Sequence, residues 1–250
     1  DGVEMERLGR ATTRHLLADR NPERLEAVEA ARRLARWIDA REARTPGTTF
    51  FALCRDYVDS SSFVDSARER LAIAESVSDL AHAYRALLAR VSELRDEENR
   101  TFATEMVKWC AAPGPSISEI PVESVIQKVV VPIAQGHPIL VVVLDGMSYG
   151  VFRSLAPGLS AAGWKELGPG DAGRRLSAVS AVPSVTEVSR ASLLCGAFTT
   201  GGSAEEKAGF SKHPGLLAAC RSGRPPLLFH KAELAGPGGA GVSPTVLERI

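Results

Sequence analysis

Apolar residues recur at helical spacing through the first half of the chain. Leu25, Val28, Ala31, Leu34 and Ile38 lie three or four apart with Arg and Glu between them, which predicts an amphipathic helix. Asn21-Pro22 supplies its start, asparagine as cap and proline at the first helical position, and Thr45-Pro46-Gly47 its end. A second apolar group runs through Phe50, Phe51, Leu53, Cys54 and Val58, and Ser60-Ser61-Ser62 breaks or caps the chain before Phe63. From Ser78 a long amphipathic segment carries Leu80, Tyr84, Leu87, Leu88, Val91, Leu94, Phe102, Met106 and Trp109. Its middle, Glu93 to Arg100, is almost wholly charged and is expected to project into solvent or bridge to another body. Residues 1–112 therefore read as a helical domain with the leucines and aromatics as its core.

Ala111-Ala112-Pro113-Gly114-Pro115-Ser116 breaks the pattern, so the linker is placed at 113–120 and a second domain at 121–250. Val122, Val125, Ile126, Val129 and Ile133 predict a helix, with Pro132 near its end. The stretch HPILVVVLDGMSYG follows. Its continuous apolar run, Ile139 to Leu144, stops at Asp145-Gly146 and predicts a strand buried on both faces. A helix is expected over Ser148 to Ala162 despite Pro157-Gly158, and Trp164 to Leu167 is an apolar patch before a turn. Arg174 to Val182 reads as a second strand. Pro183 and Ser184 interrupt the chain, and the segment after Thr186 is helical up to Cys195-Gly196. Ala204 to Leu217 is weakly helical, and Leu227-Leu228-Phe229 reads as a third strand. Strand, helix, strand, helix, strand is a parallel α/β pattern.

Composition narrows the function classes. Lys+Arg and Asp+Glu are both 30, which removes global attraction to nucleic acid or membrane as an argument. Cys54, Cys110, Cys195 and Cys220 form no CxxC and read as free, mostly buried thiols of a reducing, cytoplasmic compartment. No signal peptide opens the chain, and no apolar run reaches the roughly 20 residues of a membrane helix. The chain opens at Asp1 and closes at Ile250, and it is expected to be a piece of a longer protein.

Candidate chemistry centres on Asp145 and Thr186. An Asp just past the carboxyl end of a strand lies where open α/β sheets place ligands. A Thr at a helix N-terminus lies where unpaired N–H groups and the dipole favour an anion, phosphate above all. A carboxylate is a hard ligand for zinc, magnesium or manganese, and a metal or a helix N-terminus makes a threonine hydroxyl a better nucleophile. The same residues also read as a plain turn and a plain helix start. Arg190, one turn after Thr186 on the same face, reads as an oxyanion contact or as a surface arginine. His213 is the one histidine near these residues in glycine-rich company, and a plain loop role fits it as well. GxGxxG matches at 168–173 and 236–241 carry Pro at their second position and read as loops. There is no GxxxxGK[ST] and no GxSxG, and Met147 stands where a DxD phosphatase motif would place its second acid.

LVVVLDGMSYGVFRSL, then GWKELGP, then AVPSVTEVSRASLLCG resemble the PglZ domain of the alkaline phosphatase superfamily, found in bacteriophage-defence systems of the Pgl and BREX kind. RLARWIDARE and TFFALCRDYVDSSSFVDSARERL resemble the helical region before that domain. The resemblance implies that residues 121–250 are the first, partial portion of an alkaline-phosphatase-like α/β domain with a mostly parallel sheet. It implies a two-metal site, usually zinc, with Asp145 and Thr186 as ligands and Thr186 as nucleophile. The implied reaction is hydrolysis of a phosphomonoester or phosphodiester through a phospho-threonine, with a nucleotide or nucleic acid as a reasonable substrate. The implied partners are other phage-defence proteins, with no membrane. The family takes its further Asp and His ligands from well downstream, and no DxxxH-type set follows Thr186 here. The metal site is therefore expected to be half present or degenerate. The competing expectation is a non-catalytic scaffold of the defence complex, favoured by the charged stretch Glu93 to Arg100.

Overall fold

The computed structural model describes residues 2–15, 20–43, 47–73, 75–112, 119–168, 175–220, 224–235 and 242–248. The chain folds into two units: Asp1–Pro115 with Met147–Leu167, and Ser116–Gly146 with Gly168–Ile250. Residues 147–167 thus fold with the helical N-terminal part, where the sequence pattern implies a contiguous second domain.

The first unit is helical as expected. It holds α1 (Gly2–Thr13), α2 (Pro22–Glu42), α3 (Phe50–Asp56), α4 (Phe63–Leu71) and α5 (Ser78–Ala111). Pro22 opens α2 at its first turn, and the Asn21 carbonyl accepts from Leu25 N–H at 3.2 Å, although the Asn21 side chain does not cap. The expected stop at Thr45-Pro46 lies outside the described residues. The core joins Ala30, Leu34 and Trp37 of α2, Val64, Ala67 and Leu71 of α4, and Tyr84, Val91 and Leu94 of α5. Each fully buried Leu or Val contributes about 1.5–3 kcal/mol relative to exposure. At the far end of α5, Trp109 stacks on Phe50 with ring centroids 4.7 Å apart, and Phe102 lies 5.3 Å from the same ring. The serine run becomes a π-helical turn, Tyr57–Ser61, in which the Ser62 N–H reaches back to Tyr57 O at 2.8 Å. Ser61 Oγ accepts from the buried Trp37 indole at 3.2 Å.

The charged stretch of α5 is split by face: Glu93, Asp96, Glu97, Asn99 and Arg100 are exposed, as expected, while Leu94 and Arg95 face inward. Arg95 is only 9% exposed and donates to Glu98 Oε2 at 2.8 Å and to Asp65 Oδ2 of α4 at 3.1 Å. Glu98 also accepts from Arg41 of α2 at 2.8 Å, and Arg90 pairs with Glu42 at 2.7 Å. One face of α5 thus meets complementary charges on α2 and α4, and the other faces solvent.

After Gly146 the chain rejoins this unit as α7 (Tyr149–Ala161), close to the helix expected, with Ser148 Oγ capping Val151 N–H at 3.2 Å and Pro157 inside. Arg153 of α7 donates to Val58 O, Asp59 O and Ser62 Oγ at 3.2–3.3 Å, supplying donors to carbonyls along the π turn.

The second unit is built on β1 (Glu119–Pro121) and β2 (Ser177–Val179), which pair in parallel with Ile120 opposite Ala178. β1 carries no signal beyond Ile120 and was not expected, and β2 is shorter than the span 174–182. A 3₁₀ turn (Val122–Ser124), a π turn (Ile126–Val130) and α6 (Val131–Ala134) replace one smooth helix. Pro132 explains the change: its ring crowds the carbonyl four residues back, and Val131 N–H reaches Ile126 O instead. α8 (Thr186–Cys195), α9 (Ser203–Lys212) and α10 (Pro214–Ala219) follow, then the short α11 (Lys231–Leu234) and α12 (Pro244–Leu247). Ile126, Val130, Val131, Leu194, Phe210 and Leu216 form the core, with Leu228 packed against it.

Two strands expected from the pattern are absent. Ile139 to Leu144 belongs to no helix and no ladder among the described residues, and all six side chains are exposed, Leu140 at 76% and Val142 at 68%. A strand buried on both faces needs paired edges and covered faces; the one sheet among the described residues has only β1 and β2. Leu227-Leu228-Phe229 is assigned to no strand, and Leu228 packs against the core. The chain is mostly helical with a small parallel sheet, which is α/β only in that coarse sense. All four cysteines are free thiols, but none is buried, and Cys110 is exposed. Among the described residues no helix is long and apolar enough to cross a membrane.

Candidate functional site

Thr186 is the first residue of α8, which ends at Gly196 with a φ of 68°, a left-handed cap that glycine adopts without strain. Asp145 sits in the tight turn after the apolar run, where Gly146 takes a φ of 74°. The two residues meet. The Thr186 hydroxyl donates to Asp145 Oδ2 at 3.3 Å, and Arg190, one turn further along α8, donates to the same oxygen through Nη1 at 2.9 Å. All three residues singled out from the sequence therefore share one oxygen atom, although they come from positions 41 and 45 residues apart.

Arg190 is neither a surface arginine nor an open anion clamp. Its Nε donates to Glu206 Oε1 at 2.9 Å, and Glu206 has no exposed surface. Glu206 Oε2 lies 2.6 Å from His230 Nε2. The His230 backbone N–H donates to Glu233 Oε2 at 3.0 Å, and Glu233 Oε1 accepts from Lys207 Nζ at 2.6 Å. Asp145, Arg190 and Glu206 alternate in charge, and Glu233 meets Lys207, so within each group neighbouring charges attract. Hydrogen bonding to Glu206, reinforced by the charges of Glu206 and Asp145, raises the Arg190 guanidinium above its already high ordinary value despite partial burial. The His230 backbone N–H first, and then Lys207, hold Glu233 down to about 2.

Glu206, His230, Lys207 and Glu233 carry no motif. One signal in the sequence points to Glu206: it stands four residues before Phe210, on the stripe of α9 that faces the core. Gly209 lets that stripe approach α8 closely, since a Cβ there would lie 2.4 Å from Cys195 Sγ. His213 is buried and caps α10, its Nδ1 accepting from Leu216 N–H at 3.4 Å, so it is a structural histidine. The GxGxxG matches lie outside the described residues apart from Gly168.

The metal implied by the resemblance has two oxygen donors here, Asp145 and Thr186. Among the described residues no three His, Cys, Asp or Glu side chains gather to complete a site. The guanidinium of Arg190 and the Thr186 hydroxyl are both on Asp145 Oδ2, and both oxygens of Glu206 are engaged. The described residues therefore do not fit a metal by themselves. Compared with protein-family models, curated proteins and solved structures, the chain matches none.

Proposed function

We propose that this chain carries the nucleophile end of a phosphohydrolase site, acting on a phosphomonoester or phosphodiester, within a PglZ-type protein of bacteriophage defence. The observation that supports this reading is the convergence of Asp145, Thr186 and Arg190 at the start of α8. Nucleotides and nucleic-acid phosphodiesters are the substrate class, and other defence proteins are the partners. A divalent metal, zinc first, belongs to the proposal only with donors beyond Asp145 and Thr186, and no step here runs through it.

The chemistry follows from the chain's own groups. Thr186 Oγ attacks phosphorus and the bond from phosphorus to the leaving alcohol oxygen breaks. The hydroxyl proton passes to Asp145 Oδ2, which already accepts it. The Arg190 N–H groups and the first turn of α8 favour the charge on the phosphoryl oxygens. Water then attacks the phospho-threonine, releases phosphate or its monoester, and restores the hydroxyl. The scaffold alternative keeps the feature that favoured it: Glu93, Asp96, Glu97 and Arg100 stay exposed, although Arg95 and Glu98 pair within the helical unit.

The test compares the wild-type chain with Thr186→Ala on a chromogenic phosphodiester and monoester, with acid quench and mass spectrometry of the peptide bearing Thr186. Hydrolysis in the wild type that falls about a thousandfold or more in the variant, with phosphate trapped on Thr186, is the expected result. Equal rates in the two proteins, or no turnover in either with zinc, magnesium or manganese supplied, would overturn it.

A further inference from the structure

Among the described residues Glu206 is the most deeply buried acid of the second unit, and the chemistry above does not use it. Burying a carboxylate is costly unless its oxygens are matched. Here one oxygen takes Arg190 Nε at 2.9 Å and the other faces His230 Nε2 at 2.6 Å. The arginine fork is planar and rigid. With Nε held from inside at Glu206, the plane of the guanidinium is set, and Nη1 emerges 2.9 Å from Asp145 Oδ2, beside the Thr186 hydroxyl. We infer that Glu206 is a positioning residue: it aims Arg190 at a phosphoryl group on Thr186, and His230 fixes the second oxygen so that the carboxylate cannot turn away. The inference rests on the phosphate-ester reading of Thr186. It adds that affinity for phosphate is controlled by a side chain that touches neither Thr186 nor the ligand.

A buried ion pair that merely stabilises the fold would leave phosphate affinity alone once the protein is folded. The experiment is calorimetric titration of inorganic phosphate into the whole chain, in the wild type, Arg190→Ala, Glu206→Met, Glu206→Gln and the double variant Arg190→Ala/Glu206→Met, each checked for folding by circular dichroism. Arg190→Ala is expected to weaken binding about tenfold or more, and Glu206→Met by a similar factor. The double variant binds no more weakly than Arg190→Ala alone, because both changes remove one interaction. Glu206→Gln keeps an acceptor for Arg190 Nε and recovers most of the affinity. The wild type also gives a readout that needs no variant: the Arg190 Nε–H resonance stays protected from solvent exchange while its Nη–H signals move as phosphate is added. An Nε–H that loses protection on phosphate binding overturns the inference.

Phosphate binding that depends on Glu206, in a chain that hydrolyses nothing, removes the catalytic reading and supports the positioning role. Hydrolysis through Thr186 with an affinity indifferent to Glu206→Met, or a double variant weakened by the product of the two factors, removes the positioning role alone. A wild type that binds no phosphate removes both.

Discussion

Two stretches of this chain differ in how their surroundings match them: a charged run turns one ion-paired arginine inward, and an apolar run has no cover. Glu93 to Arg100, almost wholly charged, is mostly exposed, but its inner face brings Arg95, nearly out of solvent, and Glu98 against α2 and α4. Ile139 to Leu144, wholly apolar, stands exposed. The difference is one of available partners. Glu98 and Arg95 find Arg41 and Asp65 placed to pair with them, and pairing offsets the loss of water. The apolar run gains from burial only where another surface meets it, and among the described residues no strand pairs with it. Polarity states what a segment would gain, and the neighbours decide whether it gains it.

The comparison breaks first at Arg95. Arg95→Ala strips Asp65 and Glu98 of a shared cation in a half-buried setting, and is expected to lower the stability of the helical unit by about 2–3 kcal/mol. Urea unfolding followed by tryptophan fluorescence measures it. A loss below about 0.5 kcal/mol would return these contacts to the class of ordinary surface salt bridges.

Leu140→Ser and Val142→Ser sharpen the other side. With both side chains mostly in solvent, each change is expected to move stability by no more than about 0.5 kcal/mol in the same assay. A loss near 2 kcal/mol would mean that the run is covered in solution, and the contrast with Arg95 would disappear.

The smallest effect concerns Glu233, whose pairing is exposed to water. Its folded value, about 2, is below the ordinary value of 4.5. The unfolded state therefore binds the proton more readily, and the stabilisation is full above about 4.5 and withdrawn as pH falls toward about 2. The difference in midpoint between wild type and Glu233→Gln should narrow across that window. A constant difference from pH 6 to 2 would contradict the pairing.

Much of the helical unit was legible because amphipathic helices announce themselves locally: Leu34 and the apolar series of α5 occupy the core their spacing implies. Asp145, Thr186 and Arg190 were legible for a related reason, since each stands at a break between elements. Glu206 and His230 were not, because a buried acid is unremarkable in sequence until an opposing arginine is in place. The split of the chain was hidden as well: the docking of Arg153 onto Val58, Asp59 and Ser62 joins positions more than 90 residues apart.

What the sequence determined by itself was local: where helices begin and end, that Thr186 opens α8, that Gly196 closes it, and that Pro132 disturbs the segment before α6. These depend on backbone sterics and on side chains within one or two turns. The tertiary structure alone decided that Asp145 and Thr186 share a hydrogen bond, that Arg190 is held between Asp145 and a buried Glu206, and that an apolar run lies exposed while one arginine of a charged run is enclosed. Those outcomes depend on which distant surface arrives opposite each side chain, and a residue's own neighbours in the chain do not carry that information.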